Sequence, residues 1–302
     1  MNCIFTIIVT YNGMKWIGEC LESVFRSTQK TQIIVIDNHS SDNTAQFISV
    51  NYSEIILIRS DKNLGFGMAN NLAISKALEM GATHIFLMNQ DTRVEPDTIQ
   101  KLYDEVCSHD DIGIISPVHL TWKGDQLDFR FRTYIWSAKK EERNVNFIPL
   151  FFVNAAFWLA PANVFRKVGG FDPLFYHYGE DIDWINRCRY HGFKVGYCPN
   201  AIAYHDREYR EVSREMRFHL EFVGHLALLK NINYTFYRAI IRSYGNLVKQ
   251  AIRSVFLRPR DFSSYCSVLF KLIPFWKRSQ HHRALCYTAG QFLDSNINNP
   301  DE

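Results

Sequence analysis

The sequence lacks paired cysteines. Seven are present, an odd number, and none stands in a CxxC arrangement: Cys3, Cys20, Cys107, Cys188, Cys198, Cys266 and Cys286. That excludes a CxxC zinc or redox motif and offers no disulfide framework, so reduced thiols in a cytoplasmic protein are expected. The sequence also lacks a long apolar run. The nearest, FIPLFFVNAAFWLAP at residues 147–161, contains Asn154 and falls short of the about 20 residues that cross a bilayer. A spanning helix is excluded, but attachment to a membrane surface is not. The start, MNCIFTIIVTYN, has no basic segment ahead of an apolar one and no small-residue cleavage site, so no secretory leader is expected. Internal repeats and low-complexity segments are missing too.

What is there is a globular composition. The chain has 302 residues, 47% hydrophobic and 22% charged, enough for one large domain or one domain with an appendage. The net charge of +3 is uneven. Residues 206–302 carry 15 Lys/Arg against 9 Asp/Glu, or +6, which leaves the first 205 residues at −3. A basic tail on an acidic body points to an anionic partner for the tail.

Through the first half, apolar β-branched runs alternate with segments of helical spacing. IFTIIV, QIIVIDN, IILIR, HIFLMN and GIISP read as strands. Between them fall helices, one capped by Ser41 or Asp42 and one with Pro96 in its first turn. This order predicts an α/β fold with a doubly wound, mostly parallel central sheet. Ligands of such sheets sit beyond the carboxyl ends of the strands. Residues 117–149 break the alternation, mixing aromatic and charged residues, and are expected to form strands or a flap. FFVNAAFWLAP then reads as a buried strand, and KVGYCPNAIAYH as two short strands around Pro199 and Asn200. Beyond His205 the pattern is helical.

Polar residues end three of the strands: Thr10, Tyr11 and Asn12; Asp37 and Asn38; Asn89, Gln90 and Asp91. Each is compatible with a turn or cap. Together on one rim they suit a nucleotide. Asp91 could share a hard divalent cation with a diphosphate, since such ions need only one or two protein carboxylates. Asn89 could meet a ribose hydroxyl. Asp37 could accept the imide N–H of uracil or thymine, or a ribose hydroxyl, with Tyr11 offering a flat face to the base. Gly65 and Gly67 precede a helix whose N-terminal N–H groups could approach phosphate, and Asn63, Asn70 and Asn71 add uncharged hydrogen-bonding capacity. At residues 171–184, Glu180, Asp181 and Asp183 start a helix among Phe171, Phe175, Tyr176, Tyr178 and Trp184. The carboxylates would favour the helix dipole in any case. With aromatic faces beside them they also suit a sugar ring and a general base. His205 alone reads as structural, and becomes a metal ligand if the fold brings it to Asp91.

In order, TIIVTYNG, VIDNHSSDNT, NLGFGMANN, LMNQDT and the run from VGGFD to AIAYH resemble the inverting family 2 glycosyltransferases of GT-A fold. The likeness is greatest to rhamnosyltransferase-like members that build surface polysaccharides. The resemblance implies a catalytic domain over residues 1–210 and a helical basic extension over 211–302. It implies a nucleotide-diphosphate sugar donor, a glycan or lipid-linked glycan acceptor, and Mg²⁺ or Mn²⁺. By position, Asp91 matches the last acidic residue of a DxD motif whose first place is taken by Asn89, and His205 completes the metal site. Asp181, paired with Glu180, matches the base. Thr10, Tyr11, Asn12, Asp37 and Asn63 match the nucleotide pocket. Transfer directly to a polyprenyl phosphate, or a non-catalytic nucleotide-sugar-binding scaffold, are the alternatives.

The tail mixes helical apolar spacing with Lys, Arg and large aromatics. Packing on the catalytic domain or on a second copy of the chain is one reading. An amphipathic anchor on an anionic membrane, peripheral at its inner face, is the other. Nucleic acid is not expected, because the basic residues are dispersed and the body is acidic.

Overall fold

The computed structural model describes residues 3–136, 146–207 and 212–293. The first half follows the alternation: β1 (Ile4–Thr10), α1 (Ile17–Phe25), β2 (Gln32–Asp37), α2 (Thr44–Asn51), β3 (Ile56–Arg59), α3 (Gly65–Glu79) and β4 (His84–Asn89). Then come β5 (Thr92–Val94), α4 (Thr98–Cys107), β6 (Ile112–Thr121), α5 (Phe129–Ile135), β7 (Ile148–Pro149), β8 (Phe157–Pro161), α6 (Ala162–Val168), α7 (Glu180–Tyr190) and β9 (Lys194–His205). Four helices form the tail: α8 (Arg214–Lys230), α9 (Phe236–Leu257), α10 (Phe262–Leu272) and α11 (Phe275–Leu285).

The strands make one sheet in the order β3-β2-β1-β4-β8-β6-β9-β5, with β7 paired to β9. Alternate residues of each inner strand face opposite layers. In β1, Ile4 and Ile8 belong to one apolar layer with residues of α1, α2 and α4, while Phe5 and Ile7 belong to the other with residues of α3, α6 and α7. Burial on both faces explains the continuous apolar runs, which parallel strands require. β1, β2, β3 and β4 are parallel, with Thr10 level with Asp37 and Val9 with Asn89. The polar strand ends therefore share one rim.

Beyond β4 the sheet is mixed. β8 inserts between β4 and β6 and is antiparallel to both. β6 and β9 are parallel. The short β5 pairs antiparallel with the end of β9, placing Thr92 opposite His205. Instead of two strands around Pro199 and Asn200, β9 is one strand with a bulge. Only the second half of FFVNAAFWLAP is a strand: Phe151 is exposed, while Phe157 and Trp158 are buried. Part of the expected flap is α5, begun by Asp128, whose Oδ1 accepts the N–H groups of Arg130 and Phe131 at 2.9 Å. Residues 117–121 and 148–149 of it are strand, in β6 and β7, while 137–145 and the expected boundary at residue 210 lie outside the described residues. Two caps also differ. α2 starts after Asn43, with Asp42 Oδ1 accepting the Thr44 N–H at 3.0 Å. Pro96 lies ahead of Asp97, the residue that caps α4.

The tail is joined to the sheet-bearing body through a dry charged cluster under α7. Lys230, at the end of α8, pairs with Asp172 at 2.5 Å and with Asp183 at 3.8 Å. His282 of α11 meets Asp172 at 2.7 Å, and Arg187 of α7 meets Asp183 at 2.8 Å. Arg187 also donates to the carbonyls of Val168 and Gly170. All five side chains are buried. Leu174 and Phe175, from the loop before α7, pack with Leu226, Leu247, Val268 and Leu272 of the tail. Charges this dry persist only when paired and hydrogen-bonded, so the tail and the base of α7 are one packed unit.

Candidate active site

The rim is built by local hydrogen bonding. Gln90 fastens the ends of β1 and β4: its Oε1 accepts from Thr10 Oγ1 at 2.6 Å and from the Tyr11 N–H at 3.0 Å. Thr10 is thereby buried and occupied. Asn12 takes a left-handed φ of 49°, which asparagine tolerates, and its Oδ1 accepts the Ser41 N–H at 2.8 Å. Asn38 accepts from the Leu64 N–H at 2.8 Å and donates to Asn63 Oδ1 at 3.0 Å. Asn63 Oδ1 also accepts the Gly65 N–H, at 2.9 Å. Asn70 is buried within α3 and donates to the Phe66 carbonyl at 2.9 Å. Asn71 is likewise turned inward, exchanging hydrogen bonds with the Phe171 backbone at 2.8 and 2.7 Å. Through these bonds Thr10, Asn12, Asn38, Asn63, Asn70 and Asn71 hold the backbone around the rim.

Asp37 differs. It is buried, its Oδ2 accepts the Ser40 N–H at 3.3 Å, and its Oδ1 is buried without a partner. A buried acceptor left open costs about 1–3 kcal/mol, so this oxygen marks a place where a donor would be held. Tyr11 stands exposed beside the same strand ends, and Asn89 is half-buried. Gly65 begins α3 with a φ of 75°, and a Cβ there would sit 2.3 Å from the Tyr176 carbonyl oxygen. Only glycine lets the N-terminus of α3 approach the loop that leads to α7 so closely.

The β5–β9 pairing delivers His205 to Asp91. His205 Nε2 lies 3.4 Å from Asp91 Oδ2, and the Asp206 N–H donates to the Asp91 carbonyl at 2.9 Å. Burial pushes the Asp91 carboxyl up, but the His205 hydrogen bond and charge, with Arg207, outweigh it and hold the group below its ordinary range. Asp91 is therefore an anion at neutral pH. A carboxylate oxygen and an imidazole nitrogen this close can share one divalent ion, and the pair suits Mn²⁺ or Mg²⁺. Among the described residues no three His, Cys, Asp or Glu side chains converge as a metal site. The remaining ligands would have to come from phosphate oxygens and water.

The carboxylates of α7 form the other wall. Tyr178 and Gly179, with φ of 67° and 87°, turn the chain sharply into the helix. Glu180 is buried, and its Oε2 has no partner. Burial first, and the charge of Asp181 second, push its carboxyl up to about 8. Burial also raises Asp181, to about 6, against the Ile182 and Ala155 N–H groups and the charge of Arg207. At neutral pH Glu180 holds a proton and Asp181 is ionised. Asp181 is only half-buried and can reach a ligand. Asp183 is spent on Arg187 and Lys230. Of the five nearby aromatics, Phe171, Phe175 and Trp184 are core, and only Tyr176 and Tyr178 are exposed.

Arg207 was not singled out from the sequence. Its guanidinium acts on both Asp91 and Asp181, lies 3.5 Å from His205 Nδ1, and is 3.8 Å from Asp128. Tyr134 of α5 is close enough to feel Asp181 and Arg207 as well, and burial with the Asp181 charge pushes its phenol up to about 12. Arg207 thus stands beside His205, with Asp91 and Asp181 both within reach of its charge. Arg207 lies two residues past the end of β9, and its place beside His205 follows from the fold.

Residues 6–169 match the profile described as Glycosyl transferase family 2. The chain belongs to that family. Among curated relatives, the O-antigen chain rhamnosyltransferase WbaN of Salmonella anatum is 27% identical over 96% of this chain and 87% of its own. The N-acetylglucosaminyl-diphospho-decaprenol L-rhamnosyltransferase of Mycobacterium tuberculosis is 24% identical over 71% of this chain and 79% of its own. The low-salt glycan biosynthesis hexosyltransferase Agl10 of Haloferax volcanii is 24% identical over 67% of this chain, and the match spans 66% of that protein. The same GT-A-type fold is seen in Staphylococcus aureus TarS (TM-score 0.57, 14% identity), of which this family 2 chain spans 49%. It is seen again in the Pyrobaculum calidifontis mannosyltransferase PcManGT solved with GDP-Man and Mn²⁺ (TM-score 0.55, 13% identity, 94% of this chain and 80% of that one).

Proposed function

We propose that this family 2 protein transfers a sugar, rhamnose by analogy with its relatives, from a nucleoside diphosphate to a hydroxyl of a glycan or lipid-linked glycan. The single observation that carries the reading is the Asp91–His205 pair, with Arg207 beside His205 and its charge felt by both Asp91 and Asp181. The names of two relatives, both rhamnosyltransferases, favour that sugar and a surface polysaccharide as product.

The base of the donor would lie over Tyr11, with its imide N–H answering the open Oδ1 of Asp37. Asp91 and His205 would hold Mg²⁺ or Mn²⁺, which when bound supplies charge neutralisation to the diphosphate. Arg207, close to both walls, adds a fixed positive charge for the leaving group. Asp181 takes the proton of the acceptor hydroxyl. The acceptor oxygen forms its bond to the anomeric carbon as the bond to the diphosphate oxygen breaks, and the nucleoside diphosphate leaves with the electron pair. One displacement from the opposite face inverts the configuration. Glu180, kept protonated, leaves Asp181 as the basic member of the pair. A near-neutral, half-exposed carboxylate of this kind argues for catalysis over a binding-only scaffold.

Asp181→Asn tests the assignment. Transfer from a panel of dTDP- and UDP-sugars, measured with Mg²⁺ or Mn²⁺, should fall by about 10²–10⁴-fold while donor binding by calorimetry stays within a factor of two or so. Normal turnover by this variant would remove Asp181 from the mechanism.

A further inference from the structure

Helix α9 has two apolar faces. One packs inward through Ala239, Ser243, Leu247, Ala251 and Ser254, all buried. The other carries Tyr237, Ile241, Val248, Ile252 and Val255, all exposed, and Phe256 at the end is 81% exposed. Their spacing of three, four and seven residues lines them along one side of the helix. Arg238, Lys249 and Arg253 are also exposed. At 3.6 residues per turn they fall, with Arg242, within an arc of about 60° directly beside the apolar stripe. α10 extends the same character with Phe262, Phe270 and Ile273 exposed, and Trp276 follows in α11.

The charge is one-sided. Residues 236–285 contain ten Lys/Arg and a single acidic residue, Asp261. Asp261 is buried and paired with Arg214 and Arg217, at 3.2 and 2.8 Å. An exposed apolar stripe edged by cations, with no exposed carboxylate among residues 236–285, is poorly matched to water. It is also poorly matched to another copy of itself, because paired stripes would bring like charges together. It matches an interface of acyl chains below anionic headgroups, where aromatic and aliphatic side chains enter and Arg and Lys reach the phosphates. No helix of the described residues is long and apolar enough to cross a membrane, which leaves α9 lying in the plane of the surface.

We infer that the exposed face of α9 and α10 docks the protein on an anionic lipid bilayer. Docking of this kind stands apart from the chemistry at Asp181, and its failure would leave that chemistry untouched.

Flotation of the full chain tests it, using phosphatidylglycerol–phosphatidylcholine vesicles beside vesicles of phosphatidylcholine alone at near-physiological salt. The wild type should float with the anionic vesicles. Arg238→Gln, Lys249→Gln and Arg253→Gln together should lower partitioning about 100-fold, since each cation near such a surface contributes about fivefold. Phe256→Ser with Phe270→Ser should lower it about tenfold or more. These side chains are exposed, so nucleotide binding and circular dichroism should match wild type in both variants. Absence of flotation with anionic vesicles overturns the inference, as does flotation that neither variant weakens. A wild-type dimer that the Phe256→Ser, Phe270→Ser variant splits, without vesicle binding, would assign the face to a second copy and overturn it equally.

Discussion

Replacing Lys230 by methionine should be among the most damaging single changes to stability outside the sheet. The methylene stem is retained and the ammonium removed. Its charge lies 2.5 Å from Asp172 Oδ2 and 3.8 Å from Asp183 Oδ1 in a site closed to water. At an effective dielectric constant of about 20, those contacts correspond to attractions of about 7 and 4 kcal/mol. Most of that offsets the cost of drying the three charges, which is several kcal/mol per ion. What the variant exposes is the carboxylate left behind. Asp183 retains Arg187, but Asp172 retains only His282 and the Leu174 N–H. Removing one member of a buried pair costs about 3–5 kcal/mol, or about 5–8 °C in Tm for a chain of this size. Differential scanning calorimetry and urea titration would measure it. Lys230→Met combined with Asp172→Leu should recover much of the loss, because no stranded charge remains. A Lys230→Met protein melting within about 2 °C of wild type would refute the claim that this cluster fastens the tail to α7. The pH dependence carries a second check. The charge of Lys230, together with His282, outweighs burial and holds Asp172 well below the usual carboxylate range. A depressed carboxyl stabilises the fold above its unfolded pKa, near 3.8, and that stabilisation is lost as the pH falls toward its folded value. Lys230→Met should remove much of that acid-side dependence.

Three further outcomes follow from the site. The acid limb of kcat/KM should report an apparent pKa near 6, activity rising with pH as Asp181 ionises; Glu180→Gln should keep that limb and erase any change near pH 8. Asp37→Asn should weaken nucleotide binding about tenfold by calorimetry, because the open position then offers an NH2 donor where the imide N–H needs an acceptor, with little change in Tm because one unpartnered buried polar group replaces another. Stripping divalent ions with a chelator should lower donor affinity in wild type and be reversed by Mn²⁺, whereas Asp91→Asn should show little of either response.

The parallel half of the fold was legible because strands buried on both faces must be apolar throughout, and QIIVIDN or HIFLMN can satisfy little else. The rim was legible for the same reason, since polar residues stand out where such runs stop. The function of each polar residue there was less so. Gln90 and Asn38 look like ligands in the sequence and turn out to hold the rim together, a distinction set by partners far along the chain. α5 hid behind mixed aromatic and charged residues, though the Asp128 cap was a usable sign. Arg207 depends on the β5–β9 pairing, which no local pattern announces. The charge asymmetry counted Lys230 and Arg283 as surface cations, yet both are buried. Net charge cannot tell a solvated cation from one sealed in the core.

The bulge in β9 makes the strand a measuring device. Tyr197 lies opposite Ser116 and Ile202 opposite Val118, so five steps along β9 answer two along β6. The surplus is odd, which inverts the facing of all that follows. Shortening the turn at Pro199 and Asn200 by one residue turns His205 to the far side of the sheet, away from Asp91, wherever the pairs after it slip by one instead of the bulge absorbing the loss. Natural variation in the length of this turn should accordingly be confined to even changes, or to changes repaired before residue 205.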